Sequence, residues 1–129
     1  MFGDKETSGD ELNEWAHFFL GRSWAGVFPQ DKVPQIEKGK CYIVNLDLDG
    51  MSGSHWTGIY GVNNNTPLIY DSFGRKSKNI LPVFLKPYKN YIDVDYDKEQ
   101  YIRQEDCGQR SLAWLIVCKY YGSAVACRV

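Results

Sequence analysis

Two strand-like runs, WTGIYGV at residues 56–62 and PLIYD at residues 67–71, are separated only by Asn63-Asn64-Asn65-Thr66. Both runs are rich in β-branched and aromatic residues, and asparagine tolerates the left-handed backbone that tight hairpin turns use. The spacing therefore predicts an antiparallel hairpin. With the turn centred on Asn63, His55 at the start of one strand faces Asp71 at the end of the other, their Cβ atoms about 5 Å apart. A slip of one residue would send the two side chains to opposite faces of the sheet. Asp71 taken alone is equally well read as a strand-end cap leading into Ser72-Phe73-Gly74.

The rest of the chain arranges itself around this hairpin. CYIVNLDL (residues 41–48) reads as a buried strand, followed by the flexible polar loop DGMSGS (residues 49–54). YIDVDY (residues 91–96) alternates and reads as another strand. Leu12, Trp15, Ala16 and Phe19 recur at helical spacing, so residues 10–20 form a helix capped by Gly9 or Asp10 and stopped at Gly21. Glycine and proline breakers make residues 21–39 a loop, with Trp24 and Phe28 exposed. A second helix covers residues 78–86, weakened by Pro82. Residues 108–121 are apolar on every side, the pattern of a helix buried nearly all round. Helix, three strands, helix, strand, helix is an α+β order. With no repeat, linker or low-complexity tract, the 129 residues make one domain.

Composition narrows the functions open to such a fold. The chain is 43% hydrophobic and 15% aromatic, too apolar for a disordered protein. Fifteen basic against sixteen acidic residues leave no global field, which disfavours nucleic-acid binding as the main task. The four cysteines do not look like a disulfide framework: Cys41 and Cys118 lie in apolar stretches as reduced core cysteines do. MFGDKETSGDE is no secretory leader, and the apolar run at residues 112–118 is too short to cross a bilayer. A protein of a reducing, intracellular compartment is expected, without membrane association.

The chemistry gathers at Gln-Glu-Asp-Cys-Gly-Gln, residues 104–109, where the last helix opens. A thiol at a helix N-terminus meets unpaired N–H groups and the positive end of the helix dipole, which together lower its pKa below ~8.5. Gly108 would let a substrate backbone approach. A lone Cys-Gly is ordinarily structural; a base and an orienting acid change that reading. His17, among Trp15, Phe18 and Phe19, reads as a packed or surface histidine, leaving His55 as base and Asp71 as its partner. An oxyanion needs preorganised donors. The N–H of Cys107 is one, and the amide of Gln100 or Gln104 is another, with Gln100 having more chain in which to loop back.

These residues carry a resemblance. His55-Trp56, Ile69-Tyr70-Asp71-Ser72-Phe73-Gly74, Gln100 and Asp106-Cys107-Gly108, with the upstream Gly26-Val27-Phe28-Pro29-Gln30-Asp31-Lys32-Val33-Pro34, resemble the adenovirus-type (adenain-like) cysteine proteases. More distantly they resemble the SUMO- and ubiquitin-like-protein-specific proteases of the same clan, whose order is also His, Asp, Gln, Cys. The motifs span residues 26–118. The chain is short for the family, and the acid is aspartate where the adenovirus enzyme has glutamate. The resemblance implies a mixed, largely antiparallel sheet packed on a buried helix that carries the nucleophile at its N-terminus. It also implies a cysteine endopeptidase with Cys107 as nucleophile, His55 as base and acid, Asp71 as orienting acid and Gln100 in the oxyanion hole. Relatives mature viral polyproteins or capsid proteins and prefer small residues such as glycine before the cut, which would place the chain in a virion and its host cell. Trp56 would wall the substrate channel or serve as a core aromatic.

The implied partner is a polypeptide substrate, acted on by a monomer that needs no cofactor or metal. An activating peptide or DNA enters through the same resemblance, with Arg75, Lys76 and Lys78 as a small basic cluster that DNA would meet and that otherwise reads as a solvated loop. Removal of ubiquitin-like modifiers, acetyl transfer and a catalytically inactive binding module are the competing readings of the same residues.

Overall fold

The computed structural model describes residues 9–47, 55–71, 73–94 and 107–122, with Gly9 and Cys107 described by backbone alone. Helix α1 (Gly9–Leu20) runs through a single 3-10 turn into strand β1 (Trp24–Pro29). Strands β2 (Cys41–Asn45), β3 (Trp56–Asn63) and β4 (Thr66–Tyr70) follow, then the short helices α2 (Ser77–Ile80) and α3 (Pro82–Leu85). The two-residue strand β5 (Ile92–Asp93) and helix α4 (Cys107–Tyr121) complete the described chain. The class is α+β.

All five strands join one sheet in the order β1-β2-β3-β4-β5. The outer pairs, β1–β2 and β4–β5, are parallel, and the central pairs, β2–β3 and β3–β4, are antiparallel. Every residue of β2 is buried, because the sheet is covered on both faces at its centre. Helices α1 and α4 cover one face, where Leu12, Ala16, Leu20, Ile43, Leu68, Leu112 and Leu115 form one cluster. On the other face Ile36, Val44, Ile59, Leu81, Phe84 and Leu85 form a second. Each buried leucine, isoleucine, valine or phenylalanine among them contributes about 1.5–3 kcal/mol by leaving water. Among the described residues, no helix is long and apolar enough to cross a membrane.

The segment at residues 21–39 is not a loop throughout, since β1 occupies its first third. Two of its breakers, Gly26 and Pro29, belong to an edge strand. Gly26 sits at φ +141° where the register with β2 shifts, and Pro29 is the last residue, where a missing N–H costs least. Nor is Trp24 exposed: it is buried, and its indole Nε1–H donates to Asn13 Oδ1 on α1 at 2.8 Å. Phe28 is half-buried against Tyr42.

The helix expected at residues 78–86 is two helices, because Pro82 cannot continue α2 and instead begins α3. The buried Gln30 joins this break to the sheet. Its Oε1 accepts the Val83 N–H at 3.1 Å, while its amide donates to the carbonyls of Leu46 and Ile80. Helix α4 is not buried all round. Gly108, Ser111, Leu112, Trp114, Leu115 and Cys118 face the core, whereas Ala113, Lys119, Tyr120 and Tyr121 are exposed. The expected loop at residues 49–54 lies outside the described residues, as do residues 95–96 of the strand expected at residues 91–96, of which β5 is the part observed.

Candidate active site

His55 lies one residue before β3, and Asp71 one residue after β4. The β2–β3 ladder extends as far as His55, whose carbonyl accepts the Leu46 N–H at 3.2 Å. Both residues are buried, and His55 Nε2 lies 2.7 Å from Asp71 Oδ1.

They meet by a register other than the expected one. The turn is Asn64-Asn65, with Asn63 paired to Thr66, and no residue other than glycine has a positive φ among those described. The left-handed asparagine turn is therefore absent; Asn63 Oδ1 instead accepts the Asn65 N–H at 2.8 Å. Taken alone, that turn would place Asp71 on the face opposite His55. Between Gly61 and Asn63 the ladder slips by one residue, and beyond it Gly61 pairs with Pro67 and Gly58 with Tyr70. One further step sets Asp71 opposite Thr57, so His55 is its diagonal neighbour on the same face. The bulge restores the parity, and the length of the imidazole spans the diagonal.

Gly61 is the residue at which the slip begins. Its N–H donates to Lys40 O and its carbonyl accepts the Gly39 N–H, so β3 is pinned to the chain entering β2. A glycine within a strand pattern is the sequence signal for such a bulge.

Asp71 is saturated with donors. Arg75 gives its backbone N–H to Oδ2 at 3.0 Å, its Nε–H to Oδ2 at 2.9 Å and its Nη2–H to Oδ1 at 3.2 Å. Burial works against ionisation here, but the bonds from His55 and Arg75 outweigh it and hold the carboxyl well below the usual carboxylate range. An ionised Asp71 can only accept, so the Nε2 facing it must carry the proton. That leaves Nδ1, on the other side of the ring, to accept or deliver one. The Phe73 ring stacks on the imidazole with centroids 4.9 Å apart.

Helix α4 starts at Cys107, and its first turn is fastened next to His55 through Trp56. Ser111 Oγ donates to Trp56 O at 3.3 Å. Gly108 is buried so tightly that a Cβ there would lie 2.8 Å from Leu12 Cδ1 and 3.1 Å from Trp56 Cδ1. Gly108 is thus a packing glycine rather than an opening for a substrate backbone. Trp56, half-buried against the α1–α4 cluster, is on this side a core aromatic. Gln100, Gln104 and Asp106 lie outside the described residues.

Asn45 was not singled out by the sequence, because it closes the otherwise apolar strand CYIVN. It pairs with Trp56 across β2–β3 and is buried; its Oδ1 accepts the Asp47 N–H, and its Nδ2 has no hydrogen-bond partner among the described residues. Of the basic cluster, Lys76 and Lys78 are exposed, while the Arg75 guanidinium is turned onto Asp71. His17 is exposed on α1, and Cys41 and Cys118 are buried in the core. No group of three or more histidine, cysteine, aspartate or glutamate side chains forms a metal-binding cluster among the described residues.

No protein-family model matches the sequence, and no curated protein matches it either.

Proposed function

We propose that the chain is a cysteine endopeptidase that matures viral polyproteins or capsid proteins, with a small residue such as glycine before the cut. The observation that carries this reading is the buried His55–Asp71 pair, 2.7 Å apart, one residue away from Trp56, to which the first turn of the Cys107 helix is fastened. Asp71 occupies Nε2 and so reserves Nδ1 for proton transfer. The helix N-terminus favours the thiolate. The order and spacing of His55, Asp71, Gln100 and Cys107, resembling the adenain-like enzymes, supply the substrate class.

The reaction runs in two halves. His55 Nδ1 takes the Cys107 thiol proton, and the sulfur attacks the peptide carbonyl, forming a C–S bond. The resulting oxyanion is held by the Cys107 N–H and the Gln100 amide. As the tetrahedral adduct collapses, the C–N bond breaks and the proton on Nδ1 passes to the leaving amine. A water then gives its proton to Nδ1 and attacks the thioester. The C–S bond breaks, releasing the acid product, and the thiol is restored.

The test is cleavage of a peptide library by the wild type and by Cys107→Ala. Cleavage that is abolished by the alanine change is expected; activity surviving it overturns the assignment. Selective cleavage of modifier–fluorophore conjugates would instead make ubiquitin-like conjugates the substrate, and stable acetyl transfer from acetyl-CoA would make the protein an acetyltransferase.

A further inference from the structure

The side chains around His55 form a closed circuit that the hydrolase chemistry does not require. Asp71 holds Nε2 of the imidazole, and Arg75 holds both oxygens of Asp71. The Arg75 guanidinium carbon lies 5.2 Å from the centroid of the Phe73 ring, within cation–π range, and the same ring stacks on His55. Each group is thus held from two sides. An aspartate on its own can rotate about its side-chain bonds, and an imidazole held by one hydrogen bond can swing about it.

We infer that Arg75 is a positioning residue of this site: through the fork of bonds on Asp71 and its cation–π contact with Phe73 it fixes the carboxylate, and thereby the ring plane and proton-bearing nitrogen of His55. The inference rests on the hydrolase reading for its consequence in catalysis, but not for the circuit itself. On this account Arg75 acts through Asp71 and His55 rather than on the substrate. Its side chain is 41% exposed, so removing it leaves no cavity in the core, whereas Asp71 beneath it is 2% exposed. The planar fork matters more than the charge. An ammonium at this position would neutralise Asp71 but lacks the planar fork that reaches both oxygens while keeping its cation–π contact with Phe73.

The experiment compares the full chain with Arg75→Ala and Arg75→Lys by two readouts. The first needs no substrate: the proton NMR resonance of His55 Nε2–H, observed only while the hydrogen bond to Asp71 shields it from exchange. The second is steady-state cleavage of a peptide found to be cut by the wild type. The expected result is loss or broadening of the proton signal in both variants and a fall in kcat of about 10- to 100-fold, the cost of misplacing a reacting group by up to an ångström. KM should stay within about twofold, because ground-state binding is not touched. Partial recovery of Arg75→Ala by added methylguanidinium, with no recovery by methylammonium, is expected as well. If Arg75→Ala folds with the proton signal and kcat of the wild type, the inference is overturned. If instead the wild type cuts no peptide, the hydrolase reading fails, and the proton signal alone decides whether Arg75 positions His55.

Discussion

Leu12 of α1 closes directly onto Gly108 of α4, so that the first turn of the Cys107 helix is seated by a residue near the other end of the described chain. A Cβ on Gly108 would stand 2.8 Å from Leu12 Cδ1. Replacing Gly108 by alanine brings two opposing effects. Helix propensity favours alanine by about 1 kcal/mol, and overpacking a filled core costs about 1–3 kcal/mol. A net loss near 1 kcal/mol is expected in urea unfolding. Peptide cleavage should fall further than that loss explains, because the turn that seats Cys107 moves. Leu12→Ala in the same chain should restore part of the cleavage while costing stability of its own.

Gly61→Ala should be far worse. Here the atom in the way is backbone: a Cβ would fall 2.0 Å from Glu37 O, and neither strand β3 nor the segment pinned to it can retreat without breaking their hydrogen bonds. A loss of about 3 kcal/mol or more is expected, among the larger single-residue effects. Urea midpoints of Gly61→Ala and Gly108→Ala, measured side by side, check the ranking.

The lowered carboxyl of Asp71 makes an acid-side prediction. A group whose native pKa lies below its unfolded value, near 3.9, stabilises the fold above that pH and loses the contribution as pH falls towards the native value. Stability should therefore be steady from about pH 6 to 5 and fall below about 4. Asp71→Asn should start lower and fall less steeply through the same window. Unfolding midpoints between pH 6 and 3 give the comparison.

Cys41 behaves oppositely. Burial pushes its thiol up to about 12, so the folded state resists its ionisation. The stabilising contribution is complete below the free thiol value of ~8.5 and is lost as pH rises from there towards 12. Iodoacetamide at pH 8 should leave Cys41 and Cys118 unmodified in the folded protein and modify both in urea, as read by mass spectrometry. On the proposed mechanism Cys107 is alkylated first.

The face shared by His55 and Asp71 was legible in the sequence because strand side chains alternate strictly, so an error of two residues in register leaves the face unchanged. The register itself was not. It depends on the bulge after Gly61, and that bulge is set by contacts with residues 37–40 that no local pattern reveals. Strand β1 was hidden for a related reason: Gly26 and Pro29 read as breakers until an edge position makes both harmless. Gly108 was legible as a residue that must be glycine, but its reason, the approach of Leu12, lies in tertiary packing. The exposed Tyr120 and Tyr121 show the limit of reading an apolar helix as a buried one, since aromatic side chains at a helix end can lie on the surface.

The descent of β2, β3 and β4 as three consecutive antiparallel neighbours has a consequence in time. Their contacts are short-range along the chain and can form early. Helix α4 instead ties itself to α1 across the whole described chain, as Tyr120 Oη to Phe19 O and Lys119 Nζ to Leu20 O record. The His55–Asp71 pair belongs to this local meander and needs no residue of α4 to be drawn together. On the proposed chemistry a base assembled within the hairpin has no nucleophile beside it until the last described helix docks, so the ability to cut arrives with that long-range step.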